Sequence, residues 1–124
     1  MENTIESRIV IVNQIIKEIS LRGRNFFSGK FGISEIFIKN GRLFMKNEHT
    51  GSEMCLSTKF GYPPKGWTHG GTLWGLTKDF KEFIQTANKS NNNNGYGGLY
   101  STHWGYSKVD MKEIQEKAKT LKYL

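Results

Sequence analysis

An α+β fold is predicted from three observations. A stripe of aliphatic residues lies at helical spacing near the N-terminus, an Asn-Gly dipeptide separates two alternating runs, and two capped amphipathic segments occupy the second half. The expected architecture is an N-terminal helix, an antiparallel β-meander and two C-terminal helices on the sheet. At 124 residues, one domain over 1–124 is the expectation.

The first helix is read over residues 4 to 21. Ile5, Ile9, Val12, Ile16 and Ile19 step by four, three, four and three, and Ile11 and Ile15 widen the stripe. Asn3 or Thr4 suits the cap and Gly23 the stop. The β-branched residues leave a strand as the competing reading for Ile9 to Val12. So wide an apolar face suits either a core or a contact between subunits.

Residues 33 to 58 read as the meander. Asn40-Gly41 joins Ile36-Phe37-Ile38-Lys39 to Leu43-Phe44-Met45-Lys46, and a type I′ turn needs positive φ at both central residues. A second turn around His49-Thr50-Gly51-Ser52 leads into Met54-Cys55-Leu56. The second helix is expected over 77 to 88, capped by Thr77, with Phe80, Phe83, Ile84 and Ala87 on one face. The third is expected over 107 to 121, opening on Ser107-x-x-Asp110, with Met111, Ile114, Ala118 and Leu121 inward. Long loops are expected at about 60 to 76 and 89 to 106. Loops of such length carry function or remain disordered.

One motif recurs. Thr72-Leu73-Trp74-Gly75-Leu76-Thr77-Lys78 matches Thr102-His103-Trp104-Gly105-Tyr106-Ser107-Lys108 at a constant thirty-residue register, with Gly70-Gly71 before one copy and Gly97-Gly98 before the other. A Gly-rich approach, a Trp and a helix N-terminus together suit nucleotide or phosphate capture. Unpaired N–H groups and the helix dipole favour an anion, and a flat ring accepts a base. The plainer reading is a packing corner with Trp in the core. His69, Tyr100, Thr102 and His103 beside the doubled motif favour a binding surface. Arg22 and Arg24, with Lys30 nearby, make a candidate second anion site, since Arg grips phosphate bidentately. At a helix C-terminus they equally complement the dipole.

Other chemistries find little purchase. Three His and one Cys show no HxxxH or CxxC spacing, so no metal and no cofactor are expected. Cys55 reads as a buried mid-strand thiol. No P-loop is present, and nothing assembles a nucleophile, a base and an orienter. A single cysteine excludes an internal disulfide framework and suits a reducing compartment. Residues 2 to 8 carry Glu2, Glu6 and Arg8, so a signal peptide is not expected, and no apolar run is long enough for a membrane span. Ten Asn, fourteen Lys and eleven Ile have AT-rich codons, which suits an AT-rich bacterium or its virus.

Trp67-Thr68-His69-Gly70-Gly71, Leu73-Trp74-Gly75 before a Phe-rich helix, and His103-Trp104-Gly105-Tyr106 before a terminal helix resemble the first-described type of phage Thoeris anti-defence sponge proteins. The resemblance implies a non-catalytic protein of the host bacterial cytoplasm. It would bind cyclic ADP-ribose isomers made by TIR-domain enzymes and hold them intact. It also implies a homo-oligomer with ligand recesses at subunit contacts and, for some members, a separate site for cyclic oligonucleotides. Toward such a ligand, Trp67, Trp74, Trp104, Tyr100 or Tyr106 would stack adenine. Thr102, His69 and His103 would hydrogen-bond ribose or phosphate. Lys78 and the two helix N-termini would receive the pyrophosphate, and Arg22, Arg24 and Lys30 would form the second site.

The net charge of +7 favours anionic partners without choosing among them. One alternative is a single-stranded nucleic-acid module. Its cations are not concentrated on a predictable strand face, and no DNA is expected as a partner. A small nucleotide-degrading enzyme using His69 and His103 is another, and a host-protein binder using the first helix is a third. No membrane partner is expected.

Overall fold

The first helix, α1 (Ile5–Ser20), begins at a reciprocal cap. In the computed structural model, which describes residues 4–22, 26–57, 64, 65, 67, 71–88, 99 and 106–123, Thr4 is extended. Its hydroxyl accepts from the Ser7 N–H at 3.1 Å, while the Ser7 hydroxyl accepts from the Thr4 N–H at 2.9 Å. Of the two expected caps, Thr4 fills the role. Val12, Ile15, Ile16 and Ile19 are fully buried, Ile9 and Ile11 are half-buried, and Ile5 and Val10 are exposed. Helix rather than strand is therefore the state of Ile9 to Val12.

A hairpin absent from the sequence reading follows: β1 (Ser28–Gly29) pairs antiparallel with β2 (Gly32–Ile33). Its strands are too short to show periodicity, and a distant contact secures them. Gly29 lies so close to the Glu48 carbonyl that a Cβ there would stand 2.6 Å from the oxygen.

The meander forms in the expected register. β3 (Ile36–Lys39), β4 (Arg42–Lys46) and β5 (Glu53–Cys55) make a sheet of order β3-β4-β5, with Phe37 opposite Phe44 and Phe44 opposite Cys55. Asn40 and Gly41 have φ of 53° and 75°, as a type I′ turn requires. At the next turn Oδ1 of the buried Asn47 side chain accepts from the His49 and Thr50 N–H groups at 2.8 and 3.1 Å. Ile36, Leu43, Met45, Met54 and Leu56 face the core. Phe37, Phe44 and Cys55 share the opposite face and are half-buried, so Cys55 is less enclosed than expected.

α2 (Gly71–Thr86) corrects the expected 77–88 helix. It starts six residues earlier because Leu73, Leu76 and Thr77 extend the stripe of Phe80, Phe83 and Ile84 upstream at helical spacing, all buried. Thr77 is no cap. Its hydroxyl donates to the Leu73 carbonyl at 2.8 Å, the back-bond by which a mid-helix Thr satisfies itself. Gly75 is absorbed inside the helix, at about 1 kcal/mol relative to Ala. At the far end, the nearly buried Arg8 of α1 donates from Nε to the Ile84 carbonyl at 2.8 Å. That cation meets the negative end of the helix dipole.

α3 (Lys108–Thr120) keeps its expected cap, Ser107 accepting from the Asp110 N–H at 3.1 Å. Past its end, Lys122 takes a φ of 66° and the Tyr123 N–H returns to the Ala118 carbonyl at 2.8 Å. Tyr123 then buries its ring edge-on against Phe80 and Phe83. Both C-terminal helices pack on α1, and α1 itself meets β2 and β3. No helix among the described residues is long and apolar enough to cross a membrane.

Asn13 joins the layers. Its amide donates to the Ile36 carbonyl at 3.0 Å and accepts from the Ile36 N–H at 2.8 Å, occupying the first residue on the free edge of β3. Asn13→Ala strips both Ile36 backbone groups of that partner. A loss of roughly 1–3 kcal/mol is expected, read as a lower urea midpoint at unchanged m-value.

Candidate functional site

With α2 beginning at Gly71, its positive end falls on the Gly-rich approach itself. The first turn carries no acidic residue. Trp74 lies at its fourth position, and Trp67 packs edge-on against it with ring centroids 5.3 Å apart and planes at 67°. A turn aims Trp67, whose N–H donates to the Pro64 carbonyl at 3.1 Å. Trp74 is only 6% exposed and belongs to the core. Trp67 is half-buried, so any stacking face offered by this pair is mainly its own. The arrangement sets a helix N-terminus, whose dipole favours an anion, beside an aromatic wall.

Lys78 stands one helical turn beyond Trp74. It lies seven residues along α2, about 10 Å from the start at 1.5 Å per residue. It is exposed and lines a surface groove of about 320 Å³ with Trp74, Asp79, Lys81, Glu82 and Gln85. Two lysines against two carboxylates leave that groove with little net field for an anion.

Tyr106 is placed elsewhere. Its ring stacks on Phe26 at 5.4 Å and 7°, and its hydroxyl donates to the Ile19 carbonyl at 3.0 Å. It ties the start of α3 to the end of α1. The two copies of the Trp-Gly motif thus diverge: Thr77 is interior to a helix, whereas Ser107 caps one.

Arg22 reaches Glu18 at 2.8 Å, Asp110 at 3.6 Å and Glu113 at 3.8 Å. Its pKa is raised, first by the hydrogen bond it donates to Glu18; desolvation opposes this next, and the charges of Glu18 and Glu113 and the bond to Asp110 then add to the rise. Three carboxylates therefore surround the guanidinium. Lys30 belongs to the β1–β2 turn, its ammonium 5.8 Å from the Phe31 ring centre. His69, Tyr100, Thr102, His103, Trp104 and Arg24 lie outside the described residues.

One polar cluster escaped the sequence reading. The buried Ser34 hydroxyl donates to the buried Glu48 carboxylate, whose other oxygen is 3.4 Å from His49 Nε2. The carboxylate stands between the hydroxyl and the imidazole. That order pins the hairpin to the β4–β5 turn and does not activate a nucleophile, which needs the base against the hydroxyl. No group of three or more metal-ligating side chains occurs among the described residues.

The family model named YoqU matches residues 3–124. The SPbeta prophage-derived uncharacterized protein YoqU of Bacillus subtilis (strain 168) is 30% identical over 117 residues, covering 91% of this chain and 80% of the relative. No solved structure matches.

Tyr106 separates packing from ligand chemistry in a direct way. Tyr106→Phe retains the stack on Phe26 and removes the bond to Ile19. A stability loss of about 0.5–1.5 kcal/mol is expected by chemical denaturation.

Proposed function

This chain belongs to the YoqU family, whose Bacillus subtilis member is prophage-derived, and from that premise we propose that it is a phage anti-defence protein that sequesters a cyclic nucleotide signal. The ligand class is a cyclic ADP-ribose isomer, held intact. The observation that carries the reading is the Trp67–Trp74 pair at the acid-free first turn of α2. The resemblance of the Trp-Gly motifs to Thoeris anti-defence sponges supports it, as does the prophage origin of the relative.

In this reading adenine lies against Trp67, and the pyrophosphate lies at the N-terminal end of α2. Stacking contributes about 1–3 kcal/mol, and the dipole favours the anion. His69, Tyr100, Thr102, His103 and Trp104 supply the remaining ribose and phosphate contacts. A second copy of the chain closes the recess, and the host bacterial cytoplasm is the site of action. No bond in the ligand is broken. Inhibition follows from affinity, slow release and a protein concentration above that of the signal.

Calorimetry against cyclic ADP-ribose isomers and cyclic oligonucleotides tests this, followed by heat denaturation and chromatography of the released ligand. The expected result is tight binding of one isomer and its recovery unchanged. Trp67→Ala, folded by circular dichroism, should weaken that affinity by roughly 5- to 100-fold. Recovery of an altered ligand would make the protein an enzyme, and no binding to any isomer would end the proposal.

A further inference from the structure

The outer face of the β3-β4-β5 sheet carries a second surface, independent of the start of α2. Alternation along paired strands places Phe37, Lys39, Arg42, Phe44, Lys46, Glu53 and Cys55 on this one face. Cations scattered along the sequence are thereby collected. Phe37 and Phe44 are cross-strand partners stacked at 5.9 Å and 20°, and both are half-buried.

The face continues onto the β1–β2 hairpin. Lys46 Nζ donates to the Phe31 carbonyl at 2.8 Å, and Phe31 is 45% exposed over the tight Gly51 turn. Lys30 sits over that ring. Three phenylalanines are thus interleaved with four cations, Lys30, Lys39, Arg42 and Lys46. Two carboxylates border this face: Glu53, paired with Lys39 at 2.8 Å and half-exposed, and the exposed Glu35 just before β3, whose carbonyl accepts from the Lys46 N–H at 3.1 Å. Arg42 is exposed and has no ion pair among the described residues.

We propose that this face binds single-stranded nucleic acid. The choice of occupant rests on charge and shape. Aromatic rings accept unpaired bases of any sequence, and cations spaced beside them accept the phosphates between. A duplex buries its base faces and has no use for the rings. Cations interleaved with the rings match the alternation of phosphate and base along a single strand. At 3.3 Å per residue, β4 alone is about 17 Å long, which suits a short site. Nothing in the proposal depends on the nucleotide-signal reading, which concerns Trp67 and α2.

The test is fluorescence anisotropy of a labelled twelve-nucleotide oligouridylate with the full chain, at about 50 and about 200 mM salt. Binding is expected at the lower salt and should weaken at the higher. Phe37→Ala and Phe44→Ala should each weaken it by roughly 5- to 100-fold. Arg42→Glu, at an exposed position that leaves the fold alone, should weaken it and lower the salt slope by about one or more. Trp67→Ala should leave it unchanged. Absence of binding at low salt, affinity that ignores Arg42→Glu, or affinity that falls only with Trp67→Ala would overturn the proposal. So would face substitutions that change the size of the particle in ultracentrifugation instead of its affinity for the oligonucleotide, because the face would then join copies of the chain.

Discussion

Asn13 sets how the two halves of the fold meet. Burial of Val12, Ile15, Ile16 and Ile19 drives α1 against the sheet, but burial is non-directional and would tolerate a slide. The paired bonds from Asn13 to both backbone groups of Ile36 do not, because hydrogen bonds fail within a few tenths of an ångström. They also occupy the first residue on the exposed edge of β3, where an open strand invites another chain. From that registered helix the remaining layers are hung by directional contacts. Arg8 holds the end of α2, while Tyr106 and Arg22 hold the start of α3.

The position of the candidate site follows from the same helix. Arg8 fixes the C-terminal end of α2 against α1, so its N-terminal end and the Trp67–Trp74 pair project at the other end of the helix. Trp74 is committed to the core, and that commitment gives Trp67 a rigid backing. A binding wall built on packed aromatic residues loses little side-chain freedom when a ligand arrives. Arg22 is placed differently. Its carboxylate neighbours come from two helices, and they make it a clamp between α1 and α3.

Much of the architecture was legible because it is encoded locally. Asn40-Gly41 dictates its own turn, and the Ile and Val spacing of α1 admits one helical face. The start of α2 was misread because Trp-Gly and Thr are stop and start signals in isolation. Only the continuing Leu73 and Leu76 stripe reveals the longer helix. Thr77 is satisfied by its own helix and therefore imitates a cap without being one. The β1–β2 hairpin and the Ser34–Glu48 pair were illegible, since residues fourteen apart stabilise them. Arg22 read as an anion site because its partners Asp110 and Glu113 lie 88 and 91 residues away in the sequence. Lys39, Arg42 and Lys46 appeared scattered until strand pairing put them on one face. Trp67 and Trp74 were each named as candidate stacking residues, but their contact and their division of labour depend on packing that the sequence does not display.

The most direct measurement is an amide and indole chemical-shift map of the ¹⁵N-labelled protein titrated with cyclic ADP-ribose isomers. The result expected is a coherent set of changes at the Trp67 indole and at the Gly71 and Thr72 amides, with the Phe37–Phe44 face silent. Changes confined to the sheet face, or an unperturbed first turn of α2 at saturating ligand, would contradict a nucleotide site at the head of that helix.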